Sequence, residues 1–123
     1  MAMLPDRQGL YDMPFTKVVV VSSSYFAANA FMFHGSDEVG IPKTICTICG
    51  IIDAVTFDVR VYDVTNNAVI AELTGKSDAY PTCLDMGTLA NIPQMKAIWE
   101  VQIRRASGGG QKEVAVASLH MEF

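Results

Sequence analysis

The decapeptide VTFDVRVYDV, residues 55–64, constrains the fold most, because it places Val55, Phe57, Val59 and Val61 on one side and Thr56, Asp58, Arg60 and Tyr62 on the other. An apolar period of two belongs to a strand with one face on a core and one in water; a helix of 3.6 residues per turn cannot use it. Thr65, Asn66 and Asn67 follow as a turn, since Asn tolerates positive φ, and AVIAELT, residues 68–74, returns as the hairpin partner.

The same chemistry recurs along the chain. KVVVVSS, residues 17–23, reads as a first strand, and Tyr25, Ala27, Asn29, Phe31 and Phe33 alternate along a second that HGSDEVGIP closes in a turn-rich loop. Residues 44–52 are apolar on both faces, as a central strand covered on both sides is. Residues 75–96 contain Gly75, Pro81, Gly87 and Pro93, which predicts a long crossing connection with at most a short edge strand near residues 88–90. In AIWEVQIRR, Trp99, Val101 and Ile103 point inward and Glu100, Gln102 and Arg104 outward; after the flexible ASGGGQK loop, Ala117, Leu119, Met121 and Phe123 point inward again. Seven or eight strands, two hairpins and one crossover predict an all-β, two-sheet antiparallel sandwich with jelly-roll or similar Greek-key topology.

A chain of 123 residues, half of them hydrophobic, supports one domain and excludes two. Residues 17–123 form that domain. The first sixteen residues, MAMLPDRQGLYDMPFT, have two prolines and no sustained period, so they read as an extended arm. Leu4, Leu10, Tyr11 and Phe15 are too apolar for a solvated tail, and the arm is expected to lie against its own sandwich or a neighbouring subunit. With only 18% charged residues, the apolar content exceeds what a small sandwich hides, which predicts a homotrimer.

A formal charge of −4 offers phosphate backbones no attractive field, so nucleic acid is not an expected partner. The longest unbroken apolar stretches, residues 18–21 among them, are far below the roughly 20 residues a spanning helix requires, and MAMLPDRQ lacks the basic lead of a signal peptide. Neither membrane attachment nor signal-directed secretion is expected.

Cys46 and Cys49 have C-x-x-C spacing, but isoleucines 45, 48, 51 and 52 make the segment a strand, which sends the two thiols to opposite faces. With Cys83 they read as buried structural residues in a reduced protein, without disulfide or metal. His34 and His120 have no nucleophile beside them, and Glu122 next to His120 reads as an ordinary surface neighbour. Asp53, Asp58, Asp63, Asp78 and Asp85 fall on separate segments rather than in one calcium loop. Trp99 follows the core phase, which argues against an exposed sugar platform. Tyr25, Tyr62 and Tyr80 are freer, and Tyr62 beside Arg60 on an outward face is a candidate interface pair. No cofactor and no enzymatic activity are expected.

FDVRVYDVTNNAVIAELTG followed by YPTCLDMGTLANIPQMKAIWEVQIRR resembles small β-sandwich virion proteins of tailed bacteriophages, among them capsid decoration, or cement, proteins. The resemblance covers roughly residues 55–123. It implies a homotrimer on the outside of a capsid shell, made in the host cytoplasm, stabilising the shell by bridging major capsid protein subunits through arms and loops. It implies no catalytic residues, and it assigns shell contact to the N-terminal arm. The competing expectation is a carbohydrate- or receptor-binding sandwich such as a trimeric knob, which requires a shallow aromatic-lined pocket.

Overall fold

The computed structural model describes residues 13–107 and 112–123, with side chains from Val21 onward except that of Ala117. The elements are β1 (Met13–Val21), β2 (Phe26–Phe33), the helical turn α1 (Ser36–Val39), β3 (Thr44–Ile51), β4 (Thr56–Asp63), β5 (Ala68–Lys76), β6 (Thr82–Asp85), β7 (Ala97–Ser107) and β8 (Lys112–Glu122). They form two four-stranded antiparallel sheets, sheet A in the order β1-β8-β3-β6 and sheet B in the order β2-β7-β4-β5. The first strand pairs with the last, the second with the seventh, the third with the sixth and the fourth with the fifth. One long antiparallel ribbon with the β4–β5 hairpin at its tip gives that pattern when it is rolled up. Pairing of β8 with β3 and of β7 with β4 then closes the two sheets of a jelly roll.

The period-two reading holds where it was strongest. Phe57, Val59 and Val61 of β4 face Trp99, Val101 and Ile103 of β7 in the core, all at most 1% exposed. Trp99 stacks on Phe33 at 4.2 Å between ring centroids and receives Phe31 edge-on at 6.0 Å, arrangements that add to plain area burial. Asn67 takes φ 52° in the expected turn, and the Asp63 carboxylate accepts hydrogen bonds from the backbone N–H and the side-chain amide of Asn66, both at 2.8 Å. That local ladder of acceptors and donors explains how a carboxylate comes to be fully buried at the end of β4.

Several expectations are corrected. The short edge strand is Thr82–Asp85, where Leu84 turns inward opposite Thr47, and residues 88–90 form no strand. Ala90 instead donates its N–H to Ile70 O, and Leu89 packs on the core. The loop after β2 contains α1, whose Val39 is buried and whose Ser36 and Asp37 N–H groups bond Pro93 O and Gln94 O. Gly35 at its entry has φ 95°, and a Cβ there would lie 2.3 Å from Gln94 O, so only glycine lets the two segments meet. Among the described residues β3 is fully buried on one face only: Ile45, Thr47 and Cys49 are buried, while Cys46 and Ile48 are half-buried on the outside. β1 begins at Met13, so residues 13–16 of the expected arm are strand. Residues 1–12 and 108–111 lie outside the described residues.

Candidate partner-binding face

The outer face of sheet B is assembled from three strands whose register sets each polar side chain beside its partner. Asp58 stands opposite Arg104, Arg60 opposite Gln102, and Tyr62 opposite Glu100 across β4 and β7; Glu72 stands opposite Arg60 across β5. Arg104 Nε donates to Asp58 Oδ2 at 2.7 Å and Gly75 N–H to Asp58 Oδ1 at 2.9 Å. Both carboxylate oxygens are therefore satisfied, and Asp58 sits buried at 5% exposure on a face that the alternation pattern marks as wet. Arg60 Nε donates to Gln102 Oε1 at 2.6 Å, and Gln102 Nε2 passes the chain on to Glu100 Oε1 at 2.8 Å.

Tyr25 arrives over this network from the corner between β1 and β2. The corner is fixed by Arg105 N–H bonding Ser22 O at 2.7 Å and by the Ser22 hydroxyl accepting from Ser24 N–H at 3.3 Å. The Tyr25 ring lies 3.8 Å from the Arg60 guanidinium carbon and 4.4 Å from that of Arg104, and Arg60 is 4.4 Å from the Tyr62 ring. Two planar cations thus interleave with two rings, each contact contributing about 0.5–1 kcal/mol at a partly exposed site. The Tyr25 hydroxyl donates to Glu72 Oε2 at 2.5 Å. Burial holds the Tyr25 phenol above its ordinary pKa, and the bond to the Glu72 carboxylate and its charge push the same way. The bond to Asp58 likewise raises Arg104.

Toward the other end of the same face the chemistry turns apolar. Met32 and Ile98 pair directly across β2 and β7, each 47% exposed, and Val64 donates its N–H to Ile98 O. The face therefore grades from ordered Arg and Tyr to exposed Met and Ile, the residue types that protein interfaces favour.

Of the residues singled out in the sequence, Arg60 and Tyr62 are brought together here. Leu4, Leu10 and Tyr11 lie outside the described residues; Phe15 is in β1, its side chain outside the description. Tyr25 and Arg104 were visible as a free tyrosine and an outward arginine, but joining them to Arg60 requires the strand register. The expectation of three buried cysteines holds for Cys49 alone: Cys46 is half-buried and Cys83 exposed. His120 and Glu122 are 3.5 Å apart on the outer face of sheet A. Among the described residues, no group of three or more His, Cys, Asp or Glu is placed to hold a metal ion, and no helix is long and apolar enough to cross a membrane.

Two clefts flank the segment before β7. One of about 540 Å³ is lined by Asn66, Ala68 and residues 91–96; the other, of about 470 Å³, by His34, Asp37, Glu38 and residues 94–96. Neither has an aromatic wall. The chain matches no known family model, and no curated protein matches it.

Proposed function

We propose that this protein is a non-enzymatic binding protein that fastens to a protein shell through the outer face of sheet B, as a capsid decoration protein does. The Tyr62–Arg60–Tyr25–Arg104 stack is the observation that carries the reading. Tyr and Arg dominate interface energetics, and here their rotamers are held by Gln102, Asp58 and Glu72 before any partner arrives, so little ordering entropy remains to be lost on docking. Met32 and Ile98 supply the apolar area beside them. The virion setting rests on the resemblance of residues 55–123 to phage decoration proteins and, by fold-level analogy, on the use of jelly rolls in capsids.

A carbohydrate-binding reading has less support. The clefts lack aromatic walls, and the rings of Tyr25 and Tyr62 already lie against guanidinium groups where a sugar would stack. The test is co-sedimentation with empty shells of the major capsid protein encoded nearest this gene, together with sedimentation equilibrium of the free protein. The expected result is a trimer that saturates the shells and a Tyr62→Ala, Arg60→Ala variant that does not. Full shell occupancy by that variant, or no binding by the wild type, overturns the proposal.

A further inference from the structure

The outer face of sheet A carries a feature unrelated to that docking surface. Cys46 on β3 stands opposite Asp85 and Cys83 on β6 opposite Ile48, so the two cysteines are diagonal neighbours with side chains on the same outward face. Cys83 is exposed and Cys46 half-buried, so both thiols are within reach of solvent on that face. We infer that Cys46 and Cys83 close into a reversible disulfide across β3 and β6 when a hydroperoxide oxidises the exposed thiol.

The step balances with the hydroperoxide as sole oxidant. The Cys83 sulfur attacks the outer peroxide oxygen, the O–O bond breaks, and the remainder leaves as an alcohol (as water when the oxidant is hydrogen peroxide) after taking up a proton. Cys46 then attacks the sulfenic sulfur of Cys83, its own proton leaving with the hydroxyl as water. Two thiols lose two electrons and two protons; one peroxide becomes alcohol plus water. Cys49, buried on the opposite face of β3, takes no part.

Geometry also makes the bond labile. Diagonal cross-strand neighbours are typically about 7–8 Å apart, beyond the span of a relaxed disulfide, so closure must draw one strand along the other. β6 can yield, because it is a four-residue strand at the sheet edge held by β3 alone. A bond formed under that demand is easily reduced again, which fits a reversible fastening of an edge strand better than a permanent staple. Burial holds the Cys46 thiol above its ordinary pKa, and the neighbouring Cys83 and Asp85 add to this, so Cys46 waits protonated while Cys83 meets the oxidant.

The experiment is treatment of the full chain with hydrogen peroxide, then alkylation with iodoacetamide and mapping of an unreduced digest. The expected result is one peptide linking Cys46 to Cys83 within a single chain, with alkylation of both falling at least about tenfold and returning after dithiothreitol. Cys46→Ser and Cys83→Ser should each abolish the link, and Cys49→Ala should leave it intact. Amide exchange across Thr82–Asp85 should slow in the oxidised form. Over-oxidation of Cys83 with Cys46 still alkylated, a Cys46–Cys49 link, a disulfide between chains, or unchanged exchange at β6 would each overturn the inference.

Discussion

The two sheets turn outward faces of opposite character. On sheet B, Asp58, Arg60, Arg104, Tyr25 and Glu72 lock one another in place, so an exposed surface is ordered almost as a core is. On sheet A, the outward face of β3, β6 and β8 sets two thiols and a spaced His120–Glu122 pair among Thr44, Ile48, Asp85 and Ser118. Both faces obey the same alternation of side chains. What separates them is register: β4 and β7 bring opposite charges into direct opposition, whereas β3 and β6 set their cysteines one step apart along the diagonal. The first arrangement suits recognition, which rewards rotamers settled in advance; the second suits a bond that forms and breaks.

The largest effect expected from breaking this comparison lies at alkaline pH, where the strongly raised groups are Cys49 in sheet A and Tyr25 over sheet B. Burial pushes the Cys49 thiol up to about 12 from an ordinary value of 9.0, with Asp78 and Cys83 adding and Lys76 opposing. Its folded pKa is above the unfolded one, so the stabilisation is complete below pH 9 and disappears as pH rises toward 12. The slope is about 1.4 kcal/mol per pH unit within that window. Tyr25 has the same sign from pH 10 upward, but it is partly exposed and its share is smaller. Urea midpoints measured from pH 8 to 11 should therefore flatten strongly in Cys49→Ala and weakly in Tyr25→Phe. Stronger flattening in Tyr25→Phe than in Cys49→Ala would place the alkaline weakness on sheet B instead.

Next in size is Asp58→Ala. It strips two donors of their acceptor, one of them the Gly75 N–H and the other the half-exposed Arg104, and should cost about 2–3 kcal/mol in urea unfolding at neutral pH. Its counterpart on sheet A, Cys46→Ser, replaces a half-buried thiol on the outward face and should cost under about 0.5 kcal/mol under reducing conditions. Comparable losses in the two variants would show that the polar network on sheet B is not what orders that face.

Legibility in the sequence followed the range of the interactions involved. The β4–β5 hairpin was readable because Phe57, Val59 and Val61 alternate over a long run and Asn67 permits the turn, all of it local. β6 was not, because four residues among prolines and glycines become a strand only when β3 offers its edge. The alternation of β4 puts Asp58 in water because a local pattern does not contain the Gly75 N–H or Arg104 arriving from other strands. The buried face of β3 looked two-sided because Cys46 and Ile48 are apolar in type, yet apolar type does not specify a covering layer. Arg60 and Tyr62 were recognisable as neighbours on one strand, while Tyr25 became part of the site through a corner fixed by Ser22 and Arg105.

The smallest predicted effect is the most direct measure of the contrast. A double-mutant cycle on Arg60→Ala and Tyr62→Ala removes the 4.4 Å cation–ring contact while cancelling the separate loss of the Arg60–Gln102 hydrogen bond. Because the guanidinium is also held by Tyr25 and Gln102, little side-chain entropy remains to be recovered on breaking the pair, and the coupling should be about 0.5–1 kcal/mol. The matching cycle on His120→Ala and Glu122→Ala concerns side chains 35% and 57% exposed and 3.5 Å apart, where solvent screens the charge and both chains lose freedom to meet. That coupling should be near zero, at most about 0.3 kcal/mol. A coupling on sheet A as large as that on sheet B would mean that exposed pairs on this fold are ordered regardless of register, and the face built from Tyr25, Arg60, Tyr62 and Arg104 would lose its claim to be distinct.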